Sequence, residues 1–558
     1  MTAVDKIWLQ SYPPGTPAEI DPTRLRSLKE LFETSCARFA DQVAYVQMDK
    51  AITYRELDQL SAAFAGWLQN VAGARKGDRI AIMLPNLLQY PIAMFGALRA
   101  GLAVVNTNPL YTAPELEHQL ADSGATTLVV LENFAHVVAA VLPRTKVKHV
   151  LVTGVGDLLG FPKGALVNFV LRQVRKQVRP WQIDGAVRFK TAIAGESSFS
   201  PVEVGPDDIA FLQYTGGTTG VAKGAMLTHG NVSANVLQAE AWIGELFGAA
   251  PGVLITPIPL YHVFALTANC LLFVRFGWKN ILIVNPRDFP AVIKELKKYP
   301  FRFITGVNTL FNALLHTPGF DSIDFSHLQI TLGGGMAVQA SVAERWKQVT
   351  GHVLTQAWGL TETSPAACIN PPAEGFNGAI GLPISSTEVT IRDDDGRELA
   401  IGAVGEICVR GPQVMRGYWN RPDETEKVML PDGWLRTGDI GHMDSRGYVY
   451  IEDRKKDMIL VSGFNVYPNE VEAVAAAHPG ILEAAAVAQQ DEHSGEVVAL
   501  FVVRKDPSLS EHDVIEFCRK SLAAYKVPRH VYFRNELPKT NVGKILRKAL
   551  REELAKPK

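Results

Sequence analysis

The sequence predicts an α/β protein with a large N-terminal domain and a small α+β C-terminal domain. Three observations carry that prediction. From about residue 40 to 350, short β-branched runs alternate with helical patterns. From about 380 to 450, closely spaced turn signals interrupt short alternating strands. From Asp453 onward a separate α+β pattern begins. The 558 residues correspond to roughly three to four domain-sized units at ~150 residues each.

In the first region the runs Arg79–Leu84, Thr127–Leu131, Val150–Thr153, Ile209–Gln213, Val253–Pro257, Ile281–Val284 and Phe303–Thr305 read as buried strands. Amphipathic stretches such as Tyr54–Leu68 and Glu115–Asp122 read as the helices between them, which argues for βαβ units and largely parallel sheets. In the second region the turns are Asp393–Gly396 (DDDG), Pro431–Trp434 (PDGW) and Asp444–Gly447 (DSRG), the punctuation of an antiparallel subdomain at about 380–452. The last region reads as a helix from about Asn469, strands at Ala484–Ala488 and Val497–Val503, and a helix from Glu511.

Composition excludes several classes. Lys and Arg number 56 against 57 Asp and Glu, so the chain lacks the basic surplus by which a non-specific nucleic-acid binder displaces counterions. With 47% hydrophobic and 20% charged residues it is not a disordered chain. The five cysteines (Cys36, Cys270, Cys368, Cys408, Cys518) form no CxxC pair and are odd in number, which suits a reducing compartment rather than a disulfide framework. The N-terminus has no secretory apolar run, and Ala265–Val274 is too short for a membrane span of ~20 residues. The expected setting is the cytoplasm.

The segment from Lys163 to Arg179 carries Lys163, Arg172, Arg175, Lys176 and Arg179 and no acid. On a helix, Leu166, Val167, Val170, Leu171, Val174 and Val178 gather on one face, with Arg172, Arg175, Lys176 and Arg179 opposite. Two readings stay open: a basic amphipathic helix on the inner face of an anionic membrane, or a helix packed on its own domain with a solvated basic face.

The strongest chemical signal is Tyr214–Met226, YTGGTTGVAKGAM, directly after the apolar run IAFLQ. Gly216, Gly217, Gly220 and Gly224 allow close backbone approach; Thr215, Thr218 and Thr219 add hydroxyl donors; Lys223 adds a positive charge. Together they describe a nest for a phosphate chain. The loop is not a Walker A, because Lys223 is followed by Gly224. The string Gly154–Gly160 (GVGDLLG) falls short of a dinucleotide fingerprint, with Leu159 where a third glycine belongs.

The loop resembles the phosphate-binding loop of the adenylate-forming superfamily of acyl-CoA synthetases, luciferases and peptide-synthetase adenylation domains. Four further strings agree in order: Trp358–Pro365 (WGLTETSP), Gly433–Gly441 (GWLRTGDIG), Asp453–Glu472 (DRKKDMILVSGFNVYPNEVE) and Pro538–Leu550 (PKTNVGKILRKAL). The wording of the last three, with PLYHVFALTANCLLF and NTLFNALL, is most similar to bacterial long-chain fatty-acyl-CoA synthetases. The resemblance implies ATP, coenzyme A and a fatty acid as substrates and Mg²⁺ as cofactor. It implies an N-terminal adenylate-forming domain over 1–452, a hinge at 453–456 and a mobile domain over 457–558.

Residue by residue, the resemblance assigns Lys544 as the catalytic lysine bridging the carboxylate and the α-phosphate. Thr361 falls to the α-phosphate and His262 to the acyl carboxylate. Tyr214, Thr215, Gly216, Gly217, Thr218, Thr219, Gly220 and Lys223 fall to the phosphate chain. Gly334, Gly335 and Trp358 form the adenine wall; Asp439 and Arg454 hold the ribose. Glu362, with Thr215 nearby, holds the metal. Trp358 departs from the tyrosine usual at its position: it keeps a stacking face and lacks the phenol hydroxyl. Lys456 is the pivot, and Ser462, Gly463 and Phe464 line a thiol tunnel after rotation.

The physical logic agrees. Two anions meet when a carboxylate attacks the α-phosphate, so cationic screening should dominate that step. A lysine that serves the first step must vacate space for the thiol in the second. Other acid–CoA ligases, for aryl or short-chain acids, and a non-catalytic fatty-acid carrier are the alternatives. The Lys544 motif speaks against the carrier, and no GxSxG string supports a hydrolase. The sequence leaves chain-length preference and a homodimer open.

Overall fold

The computed structural model describes residues 6–195, 199–215, 221–248, 250–491 and 494–555. Four sheets organise them. The first has nine strands, with Ile330–Gly333, Phe303–Gly306, Val253–Thr256, Lys279–Leu282 and Val43–Gln47 running parallel in its middle. Antiparallel strands close both its edges. The second has seven strands in the order Val187–Arg188, His149–Thr153, Thr127–Leu131, Arg79–Met83, Ala103–Asn106, Ile209–Thr215, Lys223–Thr228, parallel except for the last. The apolar runs read from the sequence thus lie in these two parallel sheets. They are buried on both faces, as continuous hydrophobic strands demand.

Helices pack where their patterns predict. Tyr54–Asn70 starts at a capping box in which Thr53 and Glu56 satisfy each other's backbone N–H groups, and it buries Leu57, Phe64 and Leu68. Ala113–Ser123 begins with a second such box at Thr112 and ends at the left-handed Gly124.

The third sheet, Glu388–Arg392, Gly405–Arg410, Leu435–Met443 and Val449–Arg454, is antiparallel throughout. The fourth belongs to the C-terminal domain. There Gly495–Arg504 pairs with Ile481–Asp491 and, in parallel, with His530–Arg534, over a core of Ile459, Val471, Ala486, Leu500 and Val514. The fold is α/β, with a large N-terminal and a small C-terminal domain. Among the described residues no helix is long and apolar enough to cross a membrane.

The basic segment departs from the helix read over 163–179. The α-helix covers only Lys163–Phe169 and continues as a π-turn over Val170–Val174. Lys176 then adopts φ +49°, which ends helical geometry, so Val178 and Arg179 are not on the helix. Arg172 is not a free surface charge either: it grips the buried carboxylate of Glu132 at 2.6–3.2 Å. Leu166, Phe169 and Val174 are exposed, as is Phe161 just upstream, at 93% of its surface.

Candidate active site

The ends of several strands converge on a cavity of ≈ 1840 Å³ between the two domains. A pocket for one drug-sized ligand is ~300–1,000 Å³, so this one has room for more than one substrate. Its wall includes Tyr214, Thr215, Lys223, His262, Gly334, Gly335, Trp358, Thr361, Glu362, Asp439, Arg454, Lys456 and Lys544. Residues Gly216, Gly217, Thr218, Thr219 and Gly220 lie outside the described residues. Their flanks, Thr215 and Lys223, face each other across the last hairpin of the second sheet.

Asp439 sits mid-strand in Leu435–Met443, not in a turn as Asp before Ile-Gly suggests in isolation. Its strand alternates inward and outward, and period two turns Leu435, Thr437 and Asp439 inward. The Trp358 indole donates to Asp439 Oδ2 at 2.9 Å. Arg454, its register partner on the next strand, lies 2.5 Å from Oδ1, at an angle that leaves that oxygen without a directed hydrogen bond. Burial raises the Asp439 carboxyl above its ordinary value, and Arg454 opposes the rise. A buried carboxylate with an under-satisfied oxygen is an acceptor suited to hydroxyl donors. The tryptophan at 358 therefore does more than offer a face: its N–H orients the acid, a contact the sequence did not disclose.

Lys544 extends over Gly335; a Cβ built on that glycine would lie 3.1 Å from Lys544 Cε. Removal from water, then the Arg454 charge, lowers the lysine to about 8, against the pull of Asp439 and Glu362. His262 precedes the short helix Val263–Ala265, and its Nδ1 accepts from the Phe264 N–H at 3.3 Å. Burial, with the Lys544 charge second, pushes its pKa down to about 3, so the ring is neutral and Nε2 carries the proton.

Glu362 lies in the turn Thr361–Thr363, and its Oε1 accepts from the Tyr418 hydroxyl at 2.6 Å. The Lys223 ammonium sits 4.4 Å above the Tyr418 ring and 2.7 Å from Glu424. Tyr418 thus joins Lys223 to the carboxylate of Glu362, and Glu424 screens that lysine. Neither Tyr418 nor Glu424 stands in a motif that marks it; the aromatic pair Tyr418-Trp419 after Gly417 is the one signal the sequence offers. Tyr214 donates its hydroxyl to Asp122 at 2.5 Å and packs in the core of the second sheet, which braces the strand under the loop.

Ser462, Gly463 and Phe464 lie outside the cavity in this pose. Ser462 (φ +48°) and Gly463 (φ +84°) make the tight turn between Ile459–Val461 and Phe464–Val466. Phe464 is exposed, its ring 5.0 Å from that of Tyr525. The five cysteines are buried and unbonded, and burial holds their thiols up, Cys270 to about 12.

One side of the cavity is apolar. Ala239 and Ile243, with Asn235, recur every fourth residue on the helix His229–Phe247 and face it, and Leu272, Phe303 and Ile369 line it as well. Behind Phe303 stand Phe273 at 4.6 Å and Phe247 at 6.1 Å.

Comparison with known proteins gives the same picture. The AMP-binding enzyme family matches residues 32–419, and the AMP-binding enzyme C-terminal domain matches residues 470–544. A long-chain-fatty-acid–CoA ligase of Escherichia coli O157:H7 is 54% identical over 551 residues, covering 98% of each chain. ATP-bound MatB of Rhodopseudomonas palustris superposes with a TM-score of 0.81 at 28% identity, over 94% of this chain and 98% of that one. The anthranilate CoA ligase AuaEII with anthranoyl-AMP shares the fold, with a TM-score of 0.84 at 23% identity over 96% and 99%. With its family match spanning most of the length and a relative identical at half its positions, the chain belongs to the AMP-binding, adenylate-forming enzyme family.

Proposed function

We propose that the protein is a fatty acid–CoA ligase, acting on long chains through an acyl-adenylate. One observation carries the substrate reading: the cavity sets a charged cluster of Lys544, Arg454, Asp439 and Glu362 beside an apolar wall. In the first half-reaction Trp358 and Gly334–Gly335 hold adenine, while Asp439 and Arg454 hold the ribose. Thr215, Lys223 and the loop between them hold the β- and γ-phosphates. The neutral His262 donates from Nε2 to one carboxylate oxygen of the fatty acid. The other oxygen attacks the α-phosphorus, the bond to pyrophosphate breaks, and Lys544 and Thr361 stabilise the charge between the two anions. In the second half-reaction the coenzyme A sulfur attacks the acyl carbon as the thiol proton passes to solvent, and the acyl carbon–oxygen bond breaks so that AMP leaves with the bonding pair. The mobile domain, 457–558, turns about 453–456 with Lys456 as pivot, and so brings Ser462, Gly463 and Phe464 to the thiol.

Mg²⁺ fits this donor set as a shared rather than caged ion. Among the described residues no group of three acidic, histidine or cysteine side chains could hold a metal by itself. Glu362 offers one carboxylate, with Thr215 at the same cavity wall, which suits an ion that takes its remaining ligands from phosphates and water. When bound, it would neutralise phosphate charge. Glu362→Gln is expected to raise the Mg²⁺ concentration needed for half-maximal adenylation; a titration curve unchanged from the parent's would exclude Glu362 as ligand.

The chain-length reading is tested on Ala239. Saturated acids of increasing length, assayed by pyrophosphate release, are expected to peak at long chains in the parent. Ala239→Phe, which fills the apolar wall, is expected to shift that peak to shorter acids. A parental peak at short or aromatic acids would overturn the substrate class.

We further infer that the Phe161–Arg179 segment rests on anionic lipid. Leu166, Phe169, Val174 and Phe161 are exposed, and Arg175, Lys176 and Arg179 carry no acidic partner among the described residues. Three free cations near such a surface are worth ~3 kcal/mol, to which the exposed apolar side chains add. The segment follows the strand His149–Thr153, on the sheet edge where Asn106 and Gln213 line the cavity, their strands three and four spacings away, roughly 14 and 19 Å. Replacing Phe161 and Phe169 by Ser, or Arg175, Lys176 and Arg179 by Gln, is expected to release the protein from anionic vesicles at low salt while sparing turnover of a soluble medium-chain acid. Undiminished vesicle binding by both variants would refute the surface.

A further inference from the structure

The turn that carries Lys544 is held from both sides by contacts that cross the domain boundary. On one side stands the helix Asn308–Leu315 of the N-terminal domain. Its Thr309 hydroxyl donates to the carbonyl of Gly543 at 2.8 Å, and its Asn312 amide donates to the carbonyl of Leu482 at 3.3 Å. His316, just past the helix, lies 3.2 Å from Lys505 Nζ. Positions 309, 312 and 316 share one helical face, so a single strip meets the C-terminal domain. Gly543 is forced there: its φ is +84°, and a Cβ would lie 3.0 Å from Thr309 Oγ1 and 3.2 Å from Val307 Cγ2.

On the other side, Arg547 follows Lys544 by three residues. Its guanidinium donates to Asp453 Oδ1 at 3.0 Å and to Glu472 and Asn469 at 2.7 Å. Asp453, fully buried at the end of the third sheet, also accepts the Asn469 N–H at 2.7 Å. The lysine stem is long and flexible, so its head is placed only as well as its backbone is.

We propose that Thr309 is a positioning residue for Lys544: its hydroxyl, by holding the Gly543 carbonyl, seats the lysine turn in the cleft for adenylation, while the Asp453–Arg547 pair braces the far side. Both contacts join parts that separate when the C-terminal domain turns for the thiol, so they serve the first half-reaction alone. The proposal rests on the reading that Lys544 acts in adenylation, and Lys544→Ala is therefore measured beside it.

The test uses the full-length enzyme and two assays: single-turnover formation of acyl-adenylate, and conversion of supplied acyl-adenylate to thioester by coenzyme A. Thr309→Val keeps the shape and removes the donor; Thr309→Ser keeps the donor. Thr309→Val is expected to slow adenylation about five- to tenfold, the scale of one neutral hydrogen bond, and to leave thioester formation at the parental rate. Thr309→Ser is expected to restore most of the loss. Adenylation at the parental rate in Thr309→Val, equal slowing of both half-reactions, or failure of Thr309→Ser to rescue each overturns the positioning role. Where the valine variant does not fold, Thr309→Ala is read by the same criteria. Lys544→Ala with undiminished adenylation would defeat the underlying reading; loss in Lys544→Ala with none in Thr309→Val would defeat the positioning role alone.

Discussion

Lys544→Ala is expected to lose ~10²–10³ in the rate of acyl-adenylate formation and to convert supplied acyl-adenylate to thioester at close to the parental rate. The magnitude is that of removing one preorganised charge-stabilising donor. Its direction follows from where charge accumulates. The fatty carboxylate and the α-phosphate bring two anions together only in the first step, and Lys544 stands in the cleft beside Arg454, Asp439 and Glu362. The substrate-free lysine is held at about 8, so the ammonium form is lost as pH rises through that value. The kcat/KM for adenylation is therefore expected to fall above about pH 8, and Lys544→Arg, whose side chain stays charged, is expected to remove that fall. Unchanged pyrophosphate release in Lys544→Ala would refute the assignment.

Asp439→Asn is expected to weaken ATP use without weakening the fold. The carboxylate is fully buried in the cavity wall beside Arg454, and its Oδ1 lacks a directed donor. Hydrogen bonds to a charged acceptor contribute ~1.5–3 kcal/mol, so loss of one strong pair corresponds to a ~10–10²-fold rise in KM for ATP. Folding raises this group's pKa, so the native chain binds the proton more tightly than the unfolded one. Between the ordinary carboxylate value and the raised one, stability falls as pH rises, and at neutral pH the ionised form is held at a cost. The amide removes that cost, and the variant is expected to melt no lower than the parent at pH 7. A parental KM for ATP, or a large drop in melting temperature with KM unchanged, would show that Asp439 is structural.

The parts legible in the sequence are those governed by local chemistry. Apolar runs such as Thr127–Leu131 announce doubly covered strands by composition alone, and Thr53 with Glu56 announces a helix start by spacing. Lys544, Asp439 and Glu362 each stand in a distinctive string, and all three line one cavity. What stayed hidden are contacts between residues distant in the chain. Tyr418 meets Glu362 across 56 positions, Trp358 meets Asp439 across 81, and Thr309 meets Gly543 across 234. No periodicity encodes such pairs. The basic segment failed differently: its helical pattern is real through Val174, but the left-handed Lys176 ends it, and Arg172 turns to a buried acid that lies 40 residues upstream.

In the proposed scheme the acid is activated as an adenylate before the thiol takes part. Exchange of labelled pyrophosphate into ATP tests it most directly, measured with a long-chain acid present and coenzyme A absent. Exchange is expected to require the acid, to need no coenzyme A, and to be lost in Lys544→Ala. Exchange that proceeds without the acid, or appears only when coenzyme A is added, would contradict it.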